Sequence, residues 1–343
     1  MKLFLHGFFC LLSIHSFGQM RELALDFSCK EKSQGFQSVK VIDTRSQNQF
    51  LGTVQNGAFN TSTEIVCMGL TDSLAAYFTG STLNTPLVIT LNEFFVNELR
   101  GSTSEIGRFR LAARFFTANA PDQYNELITI DTIYTTKGGD VTKKLLRSVS
   151  EQFCVLAQQV TSLARQKTLS DTATYSYQDL LTLDSLEKMK LPMYRDNQPK
   201  AGIYRNFRQF VMNEPEPAVE LTIEERKNMT LVYALNEKRK KKVKLLPEGL
   251  FAVSDGTILL RATGLGFYKM VKKGSDFYYW RPRQSYSSSV PVPLMGMGYG
   301  AVGGLIAGAM QAASKEDNRW LLQKVNHRRG NSVPVSWVNG KPK

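Results

Sequence analysis

A chain of 343 residues with an apolar share of 42% suits two globular domains. Its formal charge of +13 marks a basic surface, either solvated or attracted to nucleic acid, anionic lipid or acidic glycan. Of its three histidines, His6 and His15 lie in the first residues, and the remaining His327 alone excludes a multi-histidine zinc or iron centre.

Residues 1–18 read as a secretory signal peptide. Lys2 gives the positive start, residues 3–14 are largely apolar, and Ser16 and Gly18 are the small residues of a cleavage site before Gln19. The mature chain then keeps Cys29, Cys67 and Cys154, an odd set that argues against a disulfide framework. One bridge is allowed, but Cys67 and Cys154 are expected to pack as small apolar residues on helices.

Residues 36–167 form the first predicted module, in the order β-α-β-β-β-α: an α+β unit with an antiparallel sheet backed by two helices. Val39 and Val41 sit in a strand ending at Asp43-Thr44-Arg45. Thr61-Ser62-Thr63-Glu64 reads as a capping box. It opens a helix that buries Val66, Leu70, Leu74 and Tyr77 and stops at a left-handed Gly80. Residues 87–99 form a long strand whose alternation slips at Asn92-Glu93, the mark of a bulge. In residues 106–117, Phe109, Leu111, Ala113 and Phe115 point one way and Arg108, Arg110 and Arg114 the other. The apolar side packs a core. The arginine side is wet or meets something acidic, solvation being the simpler outcome. Leu111→Asp is therefore expected to unfold the module, and Arg110→Asp to be mild. Residues 124–135 make a third strand. After Gly138-Gly139, Asp140 caps a helix burying Leu145, Val149, Phe153, Leu156 and Val160.

The run Val39-Lys40-Val41-Ile42-Asp43-Thr44-Arg45, then Leu51-Gly52-Thr53-Val54, a helix and a long strand, resembles small bacterial envelope lipoproteins of the YajG type. More distantly it resembles transport auxiliary components. The resemblance covers this module only and implies an envelope location more than a chemistry. The lipidation cysteine of such lipoproteins is missing.

Residues 168–289 hold a polar linker and a mostly β second module. A short helix over 179–190 ends at Pro192, and Asn206 caps a helix burying Phe207, Phe210 and Val211. Leu221 and Ile223, then Met229, Leu231, Tyr233 and Leu235, alternate as strands. Asp255-Gly256 and Lys273-Gly274 mark hairpins. The phrase Gly202-Ile203-Tyr204-x-x-Phe207-x-x-Phe210, with Ser254-Asp255-Gly256 and Phe267-Tyr268-Lys269, is similar to a module of uncharacterised secreted proteins of Bacteroidetes.

Residues 290–314 carry no charge and place Gly296, Gly300, Gly304 and Gly308 on one helical face, a glycine zipper. As a helix, 294–313 would be about 30 Å long, near the thickness of a bilayer core. Membrane or oligomer contact stands here beside a buried helix or a Gly-rich connector. Residues 315–343 form a basic tail closing as a hairpin around Arg329-Gly330-Asn331.

Chemistry is sparse. His327, next to Arg328 and Arg329, reads as a solvated turn residue, because those cations disfavour the imidazolium that catalysis requires. No phosphate-binding loop, metalloprotease helix or paired-cysteine motif occurs, so neither cofactor nor metal is expected. Lys238, Arg239, Lys240, Lys241, Lys242 and Lys244 form the densest charge run. Such a run guards a strand edge or contacts an anionic lipid or glycan surface, and export argues against nucleic acid. The sequence thus points to an exported envelope binding or adaptor protein that performs no catalysis, associated with a membrane or a homo-oligomer through the zipper. A hydrolase with a dispersed Asp/Glu site is the competing reading.

Overall fold

The structure, a computed structural model, describes residues 20–23, 35–45, 49–56, 61–100, 104–166, 173–196, 198–217, 220–226, 229–236, 240–282 and 319–342. The signal-like residues 1–18, the glycines Gly296, Gly300, Gly304 and Gly308, and Lys238 and Arg239 lie outside these. The described chain is α+β, with most of its residues in two sheets accompanied by five helices.

The first sheet is built from β1 (Met20–Glu22), β2 (Phe36–Asp43), β3 (Phe50–Asn56) and β4 (Thr61–Val66), then, after α1 (Leu70–Phe78), from β5 (Leu83–Arg100), β6 (Glu105–Ala120) and β7 (Gln123–Gly138). Helix α2 (Thr142–Gln166) follows, and β8 (Thr174–Tyr175) adds an edge. The order is β1-β4-β3-β5-β6-β7-β8, with β2 also on β5. The sheet is mixed where an antiparallel one was expected. β2 runs parallel to β5, as does β3, because α1 carries the chain back across the sheet before β5 begins.

Thr61 to Glu64 does not cap a helix. These residues open β4, where alternate Thr63 and Ile65 are buried and a run of β-branched side chains suits a pleated surface. The helix starts only after Gly69, whose φ of 68° breaks the strand direction, and it ends at an extended Thr79 instead of a left-handed Gly80. Leu70, Leu74 and Tyr77 are buried as expected. Gly52 is required for another reason: a Cβ there would stand 1.8 Å from the Val96 carbonyl oxygen.

β5 carries the bulge anticipated at Asn92-Glu93, where its pairing with β6 shifts register. The bulge inverts the strand's phase. Leu87, Ile89 and Leu91 point inward before it and Phe94 and Val96 after it, all in one core with Phe109, Leu111, Ala113 and Phe115 of β6. Leu145, Val149, Phe153, Leu156 and Val160 of α2 close that core. Asn92 and Glu93 are both turned to the other face.

That other face is covered as well. Helix α3 (Tyr177–Met189) opens with a capping box between Ser176 and Asp179 and lays Leu180 and Leu183 on Val88 and Phe116 of the first sheet. Then come α4 (Pro192–Arg195), β9 (Gly202–Tyr204) and α5 (Phe207–Val211), whose N-cap Asn206 accepts from the Gln209 amide. The second sheet adds β10 (Leu221–Arg226), β11 (Met229–Asn236), β12 (Lys241–Lys244), β13 (Ala252–Ser254), β14 (Leu259–Thr263), β15 (Gly266–Lys273), β16 (Asp276–Pro282), β17 (Arg319–Val325) and β18 (Ser332–Asn339). Its main path is β18-β17-β16-β15-β14-β13-β9, and the β10–β11–β12 meander joins it where β11 touches β15. Tyr194, Tyr204, Phe210, Phe251 and Phe277 fill one side of this sheet. Val232, Val253, Leu260 and Phe267 fill a second cluster under the meander.

Cys67 is a free, buried thiol lying between β4 and α1, and its burial raises its pKa. Cys154, expected to be an apolar packing residue, is instead disulfide-bonded. Among the described residues no helix is long and apolar enough to cross a membrane.

Candidate functional site between the two sheets

The outer face of the first sheet displays Arg110 and Arg114 from β6, and it meets acids. Arg110 donates through Nε to Glu93 Oε2 at 2.7 Å and pairs with Asp131 of β7. Arg114 pairs with Glu126 of β7 and, through Nη1 at 2.5 Å, with Glu187 of α3. With side chains only 12% and 8% exposed, neither arginine is solvated. The expected wet face is a buried charged one.

Helix geometry explains how α3 reaches both sheets. Leu180, Leu183, Asp184, Glu187 and Lys188 recur at three- and four-residue spacing and share one face. The N-terminal half of that stripe is apolar and seals onto the first sheet, while its C-terminal half is charged. Lys188, 2% exposed, pairs with Asp184 and with Asp276 of β16 at 2.7 Å. Lys324 of β17 meets the other oxygen of Asp276 at 3.0 Å.

The turn between β17 and β18 completes the arrangement. Asn326 accepts the amides of Arg328 and Arg329 and donates its side-chain amide to Glu93. Gly330, with φ of 72°, lies so close to Phe207 that a Cβ would stand 2.4 Å from the ring. The turn thereby aims three cationic or imidazole side chains at α3 and the first sheet. Arg328 Nη2 reaches Glu187 Oε2 at 2.8 Å, Arg329 pairs with Asp131, and His327 lies between Glu187 at 3.3 Å and Asp184 at 3.5 Å. His327, read as a solvated turn residue, is 8% exposed.

The field of this cluster shifts its members. Burial alone would raise the Glu187 carboxyl, but the bond to His327 and the charges of Arg328 and Arg114 hold it down at about 2. Burial likewise opposes ionisation of Asp184, and Lys188 overcomes it, so that pKa is lowered. At Asp131 burial wins over Arg110 and Arg329, and the pKa is raised.

Beside these pairs lies a cavity of about 90 Å³. Phe50, Phe95, Ile130 and Pro334 give it an apolar wall, and Thr44, Asn92, Thr129 and Asn326 a hydrogen-bonding one. Glu93, Asp131 and Arg328 stand at its margin. The strand end Asp43-Thr44-Arg45 supports it: Arg45 grips Asp43 through Nη2 at 2.7 Å, and Thr44 accepts from Asn92 at 2.9 Å. An apolar cavity of about 150 Å³ takes benzene, so this smaller one suits at most a short inserted side chain or a group below the size of a benzene ring. Among the described residues no group of acids, histidines and cysteines is arranged to hold a metal ion.

Of the residues singled out from sequence, Lys240, Lys241, Lys242 and Lys244 are exposed at the far edge of the β10–β12 meander and take no part in the cavity. Local reading missed Glu93, Asp131 and Glu187. The signals were present in the bulge at Asn92-Glu93 and in the charged continuation of the α3 apolar stripe.

Residues 202–326 match a protein-family model described as a family of unknown function, DUF6563. The match starts at β9 and ends in the β17–β18 turn. A crystal structure of protein XCC0632 from Xanthomonas campestris, of the DUF330 family model, is similar over 43% of this chain and 98% of its own, at 8% identity and a TM-score of 0.28. No curated protein matches the chain.

Proposed function

We propose that this is an exported protein of the cell envelope that binds a partner at the cavity between its two sheets and acts as an adaptor. The observation that carries the reading is the cavity itself. It is bordered by ion pairs from both sheets, it has one apolar and one hydrogen-bonding wall, and each carboxylate at its margin already faces a cation. A site so compensated favours a neutral occupant with an apolar body, such as one side chain of a partner protein. Export is supported by residues 1–18 and by the disulfide at Cys154, since such bonds persist in oxidising compartments. The resemblance of residues 36–167 to envelope lipoproteins agrees with that location, and the zipper at 290–314 offers a membrane or oligomer contact.

Two measurements test the reading. Fractionation of cells with thiol alkylation should find the chain exported and Cys154 blocked until reduction. A cytoplasmic chain with every thiol free would sink it. Thr129→Trp, which fills the cavity, should abolish crosslinking of a photoreactive group placed at Phe95 to the native partner. Undiminished crosslinking would remove the cavity from the binding role.

A hydrolase is the second reading, favoured by one observation. Glu93 and Asp131 line the same cavity and burial raises the Asp131 carboxyl toward a general acid. Both carboxylates are engaged by Arg110, which leaves neither poised as a base. Glycosidase or esterase turnover lost on Asp131→Asn would establish it over the adaptor.

A further inference from the structure

We propose that the β11–β12 edge is a docking surface for an anionic lipid bilayer, independent of the cavity. The observation is a contrast in charge. The cations between the sheets each meet an acid, whereas Lys240, Lys241, Lys242 and Lys244 are exposed and pair with no acid among the described residues. Among the described residues β12 hydrogen-bonds to β11 alone, which leaves its outer edge without a strand partner there. Two large apolar side chains stand exposed among these lysines, Val243 at 46% and Leu246 at 64%.

Edge protection against aggregation needs only a charge or two on the strand. This edge carries more and displays apolar side chains between its charges. Pairing with the same edge of a second copy would set lysine against lysine, which disfavours a homodimer here. An anionic bilayer satisfies both features. Val243 and Leu246 enter the headgroup boundary while the lysine stems lie along it and the ammonium groups reach phosphate. Each lysine near such a surface contributes about fivefold in affinity, falling off with salt over a Debye length of about 8 Å.

The test is flotation of the purified mature chain with phosphatidylcholine vesicles, with and without 30% phosphatidylglycerol as the chosen probe. The expected result is binding to anionic vesicles only, weakened by salt, reduced by well over 100-fold by Lys241→Glu, Lys242→Glu and Lys244→Glu together, and roughly tenfold by Val243→Ser with Leu246→Ser. The milder triple change to glutamine, with unaltered thermal unfolding, guards against a folding defect and should lower binding about as far as the salt does. Equal binding to neutral vesicles would assign the contact to another segment, such as 290–314, and overturn the proposal. Binding unchanged in the lysine variants would overturn it too, as would retention on an acidic polysaccharide without any vesicle binding.

Discussion

Arg110 on β6 and Lys242 on β12 are both cations on strands, Arg110 between Phe109 and Leu111 and Lys242 between Lys241 and Val243. Their fates differ. Arg110 is sealed between Glu93 and Asp131, and Lys242 stands in solvent. Their sequence settings differ, since Lys242 lies within a run of lysines, but that does not decide the outcome. What does is whether another part of the chain brings an acid across from it. β6 is central in its sheet and covered by α3 and the β17–β18 turn, while β12 pairs with β11 alone among the described residues. A charge on a strand is therefore a statement about topology before it is one about solvation.

The sharpest way to break the comparison is charge reversal at Arg110. Arg110→Asp would bring a third carboxylate against Glu93 and Asp131 in a buried site. We expect a loss of about 3–5 kcal/mol, comparable to Leu111→Asp on the apolar face, measured by urea unfolding. This reverses the mild outcome that alternation alone implies. If Arg110→Asp proved nearly neutral while Leu111→Asp unfolded the chain, the face would be wet after all.

Next in size is Glu187, the acceptor shared by Arg114, Arg328 and His327. Its folded pKa of about 2 lies below the ordinary 4.5. A depressed carboxylate contributes stability above the unfolded pKa and loses it as pH falls through the folded one. The wild-type chain should thus lose up to about 3 kcal/mol from this group between pH 4.5 and 2. Glu187→Gln should be less stable at pH 7 by a similar amount and flat across that acid window. Parallel acid profiles for the two proteins would show that Glu187 does not join the sheets.

Much of the fold is written in local pattern. The alternation of β6, the slip at Asn92-Glu93, the turn at Gly330 and the cap at Asn206 follow from neighbours in sequence, and all are present. Thr61 to Glu64 shows the limit of that method. The capping pattern was real, but β4 lies between β1 and β3, and their pairing outweighs it. The site was less legible because its pairs are remote: Arg114 and Glu187 are 73 residues apart, Glu93 and Asn326 233. Spacing on α3 did hold a clue, since a stripe that begins Leu180, Leu183 and continues Asp184, Glu187, Lys188 asks for a charged partner. It names no partner, and only the closed topology supplies Asp276 and His327.

A smaller effect is expected at Asn326, which binds two turn amides and Glu93 at once. Asn326→Ala should cost about 1–2 kcal/mol, since Glu93 keeps Arg110 and the amides can turn to water. Hydrogen exchange should rise at Arg328 and Arg329 before it rises in β6. Uniform exchange throughout would mean that the turn has no local stability of its own.

The smallest effect is the counterpart of the largest. Lys242→Asp makes the same reversal of charge as Arg110→Asp, on a strand of the same protein, and should change stability by less than about 0.5 kcal/mol. The side chain is exposed, it has no acid partner among the described residues, and its cross-strand neighbour is the uncharged Leu235. An aspartate also keeps the edge charged, so edge-to-edge pairing stays blocked. Relief of repulsion from Lys241 and Lys244 could even stabilise the strand by a few tenths of a kcal/mol at low salt, a gain that 0.5 M salt would erase. Urea unfolding of the two variants side by side, at low and high salt, reads the whole comparison. A large loss at Lys242 would mean that an acid not seen beside it holds this edge in place, and β12 would then belong with the buried charges and not with the solvent-facing ones.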